Sequence, residues 1–278
     1  MKVGAGKLRQ LVSEAATLPI RLRVRLLEEL QATAGFQNED GIRFSLGSTS
    51  EYKRAKRQRA QEGPLVRWLA SFGPADVFFD IGANIGGLSL IAARLHGGRV
   101  PIVAFEPAFD SFAALVRNIQ ANDLAAVVTP LHVALFDETG VRPFYRSRLG
   151  AGSASHTVGE ALDYARRPFT PAAVEHVLTF RLDDLVRVLA LPAPTRIKLD
   201  VDGVERQVLA GAVEMLSSSA CEVYTELIEA DADDPRMRQV MGFMHRLGYQ
   251  PTEVIEHRPP DTFPRVVDAL FVRRGSSP

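Results

Sequence analysis

Short apolar runs alternate along this chain with longer stretches in which apolar residues recur every three or four positions. Residues 77–81 form a run of the first kind and predict a buried strand. Leu88, Ile91, Ala92 and Leu95 follow at helical spacing, with Gly82, Gly86 and Gly87 punctuating the gap. Strand, glycine loop and helix in that order form the opening unit of a nucleotide-binding α/β domain. The alternation continues. Residues 100–105 read as a second strand, and Phe109, Phe112, Leu115, Val116 and Ile119 as a helix. Residues 125–136 are the third strand region, 141–145 an antiparallel return, and 177–182, 195–199 and 221–228 further strands. Val204, Val208, Leu209 and Val213 mark one more helix, and Met237, Val240, Met241 and Met244 another. Residues 249–255 and 266–272 close the chain as an antiparallel hairpin at the edge of a seven-stranded, mostly parallel sheet.

Ahead of this domain, Leu8, Leu11, Val12 and Ala15 form one helical stripe and Leu22, Leu26, Leu27 and Leu30 a second, split by Pro19. With Arg21, Arg23 and Arg25 alongside, the second stripe admits a membrane-surface or homodimer helix; the preferred reading is a helical cap packed on the domain. Residues 36–50 are linker, with an extended piece at 42–46. The charge run at 51–60 reads as the solvated face of a helix. The expected division is therefore residues 1–60, helical cap and linker, and 61–278, Rossmann-like domain.

Lysine plus arginine and aspartate plus glutamate number 33 each, so there is no global basic field for nucleic acid. The single cysteine, Cys221, excludes an internal disulfide framework and suits a reducing cytoplasm. No apolar run approaches the roughly 20 residues of a membrane-spanning helix, so no stable membrane anchor is expected. The six histidines are scattered without zinc spacing.

The glycine loop separates two cofactor classes. A dinucleotide site reads Gly-x-Gly-x-x-Gly; here the row is Gly82-Ala-Asn-Ile-Gly-Gly87, with Asn84 where the second glycine lets a pyrophosphate lie on the backbone. Asp80, at the strand's carboxyl end, repels a pyrophosphate and suits a ligand carrying an ammonium and a sulfonium, as S-adenosylmethionine does. Glu106, 24 residues after Gly82, has the spacing of an acid that meets ribose hydroxyls. A nicotinamide-dependent oxidoreductase and an inactive cofactor-binding module of the same fold are the rival readings.

Five blocks in order, Asp80-Ile-Gly-Ala-Asn-Ile-Gly86, Phe105-Glu-Pro107, Val133-Ala-Leu135, Leu182-Asp-Asp-Leu185 and Lys198-Leu-Asp-Val-Asp-Gly203 with Glu205, resemble the FkbM-type methyltransferases. The resemblance implies a class I methyltransferase Rossmann-like fold, S-adenosyl-L-methionine as cofactor, and methyl transfer to a hydroxyl of a sugar or secondary metabolite. It puts Tyr52 and Arg54 at the mouth of the site and small hydroxyl residues near 152–156. Asp202 stands where the family more usually has glutamate.

Asp80, Gly82, Asn84, Gly86 and Glu106 are thus the expected cofactor residues, with the backbone near Ala134 and Leu135 bordering the adenine. Ligands of open α/β sheets lie outside the strands' carboxyl ends, so Asp80 and Asp200 should face one crevice. A hydroxyl is a poor nucleophile and gains from a base; Asp200 and His156 are the candidates, with Glu226 in reserve. Residues 147–175 are long and polar and read as a lid. His132 reads as a satisfied strand histidine, Asp183 and Asp184 as caps, and Lys198 either as a carboxylate's partner or as a snorkelling side chain.

Overall fold

The computed structural model describes residues 4–60, 63–153, 156–163, 167–257 and 263–273, the side chains of 58–60 excepted. Helices α1 (Ala5–Thr17) and α2 (Ile20–Thr33) come first, parted at Pro19. Neither buries a residue, so the expected packing of these stripes onto the domain is not seen. At helical spacing Arg23 falls between Leu30 and Leu27, which sets a charge inside the apolar surface such packing needs.

From there the chain joins the domain. Strands β1 (Gly35–Gln37) and β2 (Arg43–Ser45) form a hairpin tied to the domain by the side chains of Asn118 and Asn122. Helix α3 (Thr49–Ala60) carries the charge run. It is anchored by buried Ala55 and by Glu51, whose carboxylate accepts the Gly47 N–H at 2.6 Å. Helix α4 (Pro64–Ala70) buries Trp68 against Phe72, Phe78 and Tyr224.

The βα units follow: β3 (Phe78–Ile81), α5 (Gly87–Leu95), β4 (Ile102–Phe105), α6 (Phe109–Ala121) and β5 (Val128–Leu131). The expected third strand divides, and its second part, β6 (Ala134–Leu135), joins β7 (Gly140–Arg146), β8 (Thr157–Val158) and β9 (Ala173–Phe180) in a separate four-stranded sheet of order β6-β9-β7-β8. The segment read as an irregular lid therefore contributes β8 and the start of β9 to that sheet; Ala154, Ser155 and residues 164–166 within it lie outside the described residues. His132 sits exposed between β5 and β6, Nε2 to Pro107 O at 3.0 Å, its ring stacked on Phe112. Then come α7 (Leu182–Val188), β10 (Arg196–Leu199), α8 (Glu205–Ala210), α9 (Val213–Ser218), β11 (Glu222–Glu229), α10 (Arg236–Arg246), β12 (Tyr249–Glu256) and β13 (Arg265–Arg273). Asp183 does act as a cap, but for α9: its carboxylate accepts the N–H groups of Glu214 and Met215.

The seven-stranded sheet has the order β12-β13-β11-β10-β3-β4-β5, with β13 antiparallel to both neighbours and β11, β10, β3, β4 and β5 parallel. This is the class I methyltransferase fold anticipated from the sequence. The interior strands are buried on both faces, so period two divides their residues between two layers. Phe79, Ile81, Val103 and Phe105 pack with the helices that follow β9. Phe78, Ile102 and Ala104 pack with α4, α5 and α6. Each large side chain so buried contributes about 1.5–3 kcal/mol. The chain moves from β3 to β4 on one side and returns to β10 on the other, which opens a crevice beyond the ends of β3 and β10.

Candidate functional site

The glycine loop shapes this crevice. Gly82 has φ +82°, and a Cβ there would lie 1.9 Å from the Asp200 carbonyl oxygen, so only glycine lets the ends of β3 and β10 approach so closely. The N–H groups of Gly82 and Ala83 both donate to Phe105 O, tying the loop to β4. Asn84, at φ +51°, donates its backbone N–H to Glu106 Oε2 at 2.8 Å and its Nδ2 to Ser153 O at 2.8 Å. Its Oδ1 is buried without a partner. Gly86 caps α5 and lies against Leu115, behind the loop.

Gly82, Asn84, Glu106, Ala134, Leu135, His156 and Asp200 all line one compartment. Asp80 does not. It is fully buried beneath the loop, where Ser89 Oγ donates to its Oδ2 at 2.6 Å, and its Oδ1 has no hydrogen bond. β3 alternates its side chains across the sheet, so the position before Ile81 points under the turn rather than out of the strand end. Of the two predicted mouth residues, Arg54 lines the crevice and donates Nε–H to Gly152 O at 3.2 Å. Tyr52 instead stands edge-on to Phe36, 5.5 Å between ring centroids.

The small sheet forms the roof, with Phe144 of β7 and Val158 of β8 in the lining. It is anchored by Arg146, 1% exposed, which reaches Glu175 at 2.9 Å and Asp110 at 3.3 Å. Val158 falls within the segment read as a lid, whereas nothing in the local sequence of Phe144 and Arg146 pointed to the site.

Charge is distributed unevenly. Lys198 Nζ lies 3.1 Å from Asp200 Oδ2 and 3.8 Å from Asp80 Oδ1. Burial alone pushes the lysine down, but the two carboxylates outweigh it and hold it above its ordinary value. For Asp200 burial pushes upward and is outweighed by Lys198, so this carboxyl titrates below the usual range. Burial wins at Asp80, which is raised despite Lys198 and Ser89. It also wins at Glu106, pushed up to about 7 although the N–H groups of Ala108 and Asn84 bind its carboxylate.

Burial, followed by Arg146 and Arg54, holds His156 down at about 4. Ser147 N–H donates to its Nδ1 at 3.2 Å, so the imidazole proton resides on Nε2, which is buried without a partner. That tautomer makes His156 a donor toward the crevice.

A second compartment adjoins the first, about 610 Å³ in volume, and shares Arg54, Gly82, Asn84, Asp200 and Asp202 with it. Beyond that boundary Lys198, Tyr224, Glu226, His257 and Asp268 add polar walls. Glu226, the reserve candidate, is pushed up to about 8 by burial and by the nearby Asp200 and Asp268. His257 and Asp268 were absent from the sequence expectations, because β12 and β13 read only as edge strands. Scattered histidines gave no sign of a metal cluster, yet Glu226, His257 and Asp268 bring one ligand atom each within 4.8 Å of one another.

Comparison with known proteins gives the family. Residues 80–251, more than half of the chain, match the domain described as Methyltransferase FkbM domain. The chain is 33% identical over 195 residues to 31-O-demethyl-FK506 methyltransferase FkbM of Streptomyces tacrolimicus, covering 62% of this chain and 66% of that protein. It is 28% identical over 176 residues to hexuronic acid methyltransferase AglP of Haloferax volcanii, covering 63% of this chain and 66% of that one. In each case, then, the match spans just under two thirds of the relative. Among solved structures, a methyltransferase FkbM from Methylobacillus flagellatus KT aligns at 16% identity and TM-score 0.49, over 89% of this chain and 59% of its own. The domain match over the glycine loop, the Glu106 strand end and the Asp200 strand end makes this chain a member of the FkbM methyltransferase domain family.

Proposed function

We propose that this protein transfers a methyl group from S-adenosyl-L-methionine to a hydroxyl of a sugar or secondary-metabolite acceptor. The observation that carries the reading is a pair of orphaned polar atoms in one crevice. Asn84 Oδ1, an acceptor, and His156 Nε2, a donor, are both buried and unpartnered beside the Glu106 carboxyl. Buried polar atoms without partners are costly unless a ligand takes them up. A ligand with a ribose, a base and an amino-acid end supplies both kinds of partner.

In this reading Glu106 accepts the ribose hydroxyls, and the backbone near Ala134 and Leu135 borders the base. The Gly82–Gly86 loop with Asn84 cradles the methionyl end, and the Arg54 guanidinium stands ready for its carboxylate. Asp80 acts from beneath, through its bond to Ser89 on α5. The bound cofactor supplies an electrophilic methyl on a sulfonium. The protein's own work is to align the acceptor oxygen, exclude water and accept a proton. Asp200, on the boundary between the compartments, orients the acceptor there as an ionised group. The two relatives are named for 31-O-demethyl-FK506 and for a hexuronic acid, and a hydroxyl-bearing acceptor is carried over from them.

Calorimetric titration with S-adenosylmethionine tests this. Micromolar binding by the wild type, weakened at least tenfold in Glu106→Gln, is the expected result. No binding, with NADH taken up instead, overturns the reading.

A further inference from the structure

The second compartment holds an arrangement that cofactor binding does not use. Strand registers put Gly82, Asp200, Glu226 and Asp268 at one level across β3, β10, β11 and β13. Leu199 pairs with Ile81 and with Thr225, and Glu226 pairs with Asp268. Asp268 also pairs with Ile255 of β12, two residues before His257. His257 Nε2 lies 3.1 Å from Asp268 Oδ2, and Tyr224 Oη donates to the same oxygen at 2.9 Å. His257 Nδ1 has no partner among the described residues, and the ring lines the cavity.

We infer that His257, oriented by Asp268, is the proton acceptor of this protein, and that it serves a sugar-like, polyhydroxylated acceptor seated on the carboxyl row. The inference rests on the methyl-transfer reading above. With Asp268 holding the Nε2 proton, the lone pair is left on Nδ1, which makes this cavity-lining ring a base. The acceptor's hydroxyl proton passes to Nδ1 while the oxygen's electron pair forms the bond to the methyl carbon. The sulfur–carbon bond breaks and leaves a neutral thioether. The positive charge lost from the sulfonium reappears on the imidazolium beside Asp268, and its proton then goes to water.

The other candidates are engaged elsewhere: Asp200 is held ionised by Lys198, and the lone pair of His156 is occupied by Ser147 N–H. Glu226, held largely protonated at neutral pH by its burial, donates to a second acceptor oxygen; Leu65, Leu88 and Ile255 offer apolar surface to a ring face. A resident cation suits the same three side chains less well. It would have to break the His257–Asp268 contact, and Lys198 and Arg54 line the same cavity. Charged and titratable groups around His257 are Asp268 on β13, Tyr224 and Glu226 on β11, and Lys198, Asp200 and Asp202 on and after β10. Among the described residues, Arg54 on α3, the Arg67–Glu253 pair and the Glu256–Arg265 pair of β12 and β13 are the others.

Two measurements on the full chain, saturated with S-adenosylhomocysteine, test the inference. Long-range ¹⁵N–¹H spectra of histidine-labelled protein, assigned with His257→Gln, should show His257 as the Nε2–H tautomer, a preference lost in Asp268→Asn. The Nδ1–H tautomer overturns the inference. So does saturable Mn²⁺ binding that disappears in His257→Gln, which would make the cluster a metal site.

A third measurement, on the chain freed of S-adenosylhomocysteine and supplied with methyl-tritiated S-adenosylmethionine, is transfer of the labelled methyl to methyl glucuronide. In His257→Gln, kcat should fall about a hundredfold or more with KM and cofactor affinity unchanged. Asp268, a positioning residue, should lose less, and Asp268→Glu should recover part of the rate and of the pH profile. Undiminished kcat in His257→Gln overturns the inference while leaving methyl transfer intact. Failure of the wild type to bind S-adenosylmethionine overturns the underlying reading itself.

Discussion

Lys198 and Asp200 stand two residues apart at the end of one strand, with Nζ 3.1 Å from Oδ2, and the same ammonium serves Asp80 at 3.8 Å. One buried cation thus neutralises two carboxyls from adjacent strands. Replacing it by Lys198→Met leaves the buried Asp80 and the partly exposed Asp200 without a counter-charge; breaking a fully buried pair costs about 3–5 kcal/mol, and the solvent that reaches Asp200 brings the expected loss to about 3 kcal/mol or less. Urea denaturation should record a loss of that order, partly recovered in the Lys198→Met/Asp80→Asn double variant. If the single variant is as stable as wild type, the ion pairs do not hold the crevice floor.

The pH dependence of this region follows from the raised acids. The folded-state value of Glu106, about 7, lies above its reference of 4.5. A raised acid contributes most below its unfolded value, so its contribution is lost as pH climbs from about 4.5 through 7. At one unit per 1.36 kcal/mol, the full shift is worth about 3 kcal/mol. The ligand-free protein should therefore lose stability between pH 5 and pH 8, and Glu106→Gln should flatten that slope in thermal scans.

Ligand binding should run the opposite way. A ribose donates its hydroxyls best to the ionised carboxylate, so S-adenosylmethionine affinity should rise between pH 6 and pH 8 with proton release. Titrations in two buffers of different ionisation enthalpy measure that release directly. An affinity independent of pH would remove Glu106 from the ribose.

Gly82 offers the sharpest steric test. Its positive φ and the 1.9 Å separation that an added Cβ would have from Asp200 O act together in Gly82→Ala. The variant should lose about 3 kcal/mol or more and all measurable cofactor binding. Gly140→Ala, where no atom lies within 4 Å, should leave both unchanged.

His156 is expected to remain neutral from pH 6 to pH 8, because its value near 4 lies below that window. Its loss should cost one hydrogen bond, about 1 kcal/mol and roughly a fivefold to tenfold drop in cofactor affinity in His156→Ala. The pH–rate profile should keep its shape. A profile that changes shape would return His156 to the role of base.

The parallel strands, glycine loop, Glu106 and the strand-end acid Asp200 were legible in the sequence because each depends on a local signal. Continuous apolar runs mark β3, β4 and β10, and glycine spacing marks the turn between β3 and α5. What could not be read is what distant segments contribute. Ser153 reaches Asn84 across 69 positions, and Tyr224 reaches Asp268 across 44. The segment over the site was legible as a lid, but not as part of a sheet, because β8 has only two residues, too few for any period to register. The burial of Asp80 was missed for a different reason: the strand's alternation was known, but the face occupied by α5 was not.

That burial has a consequence for how ligands arrive. Since Ser89 binds the Asp80 carboxyl and Phe105 O gathers the N–H groups of Gly82 and Ala83, the end of β3 is stitched to α5 and β4 before anything enters. The loop's dihedral freedom is surrendered during folding, not on association. Little ordering entropy then remains to oppose capture of a cofactor, so the turn works as a rigid template and its occupancy is decided by chemical complementarity alone.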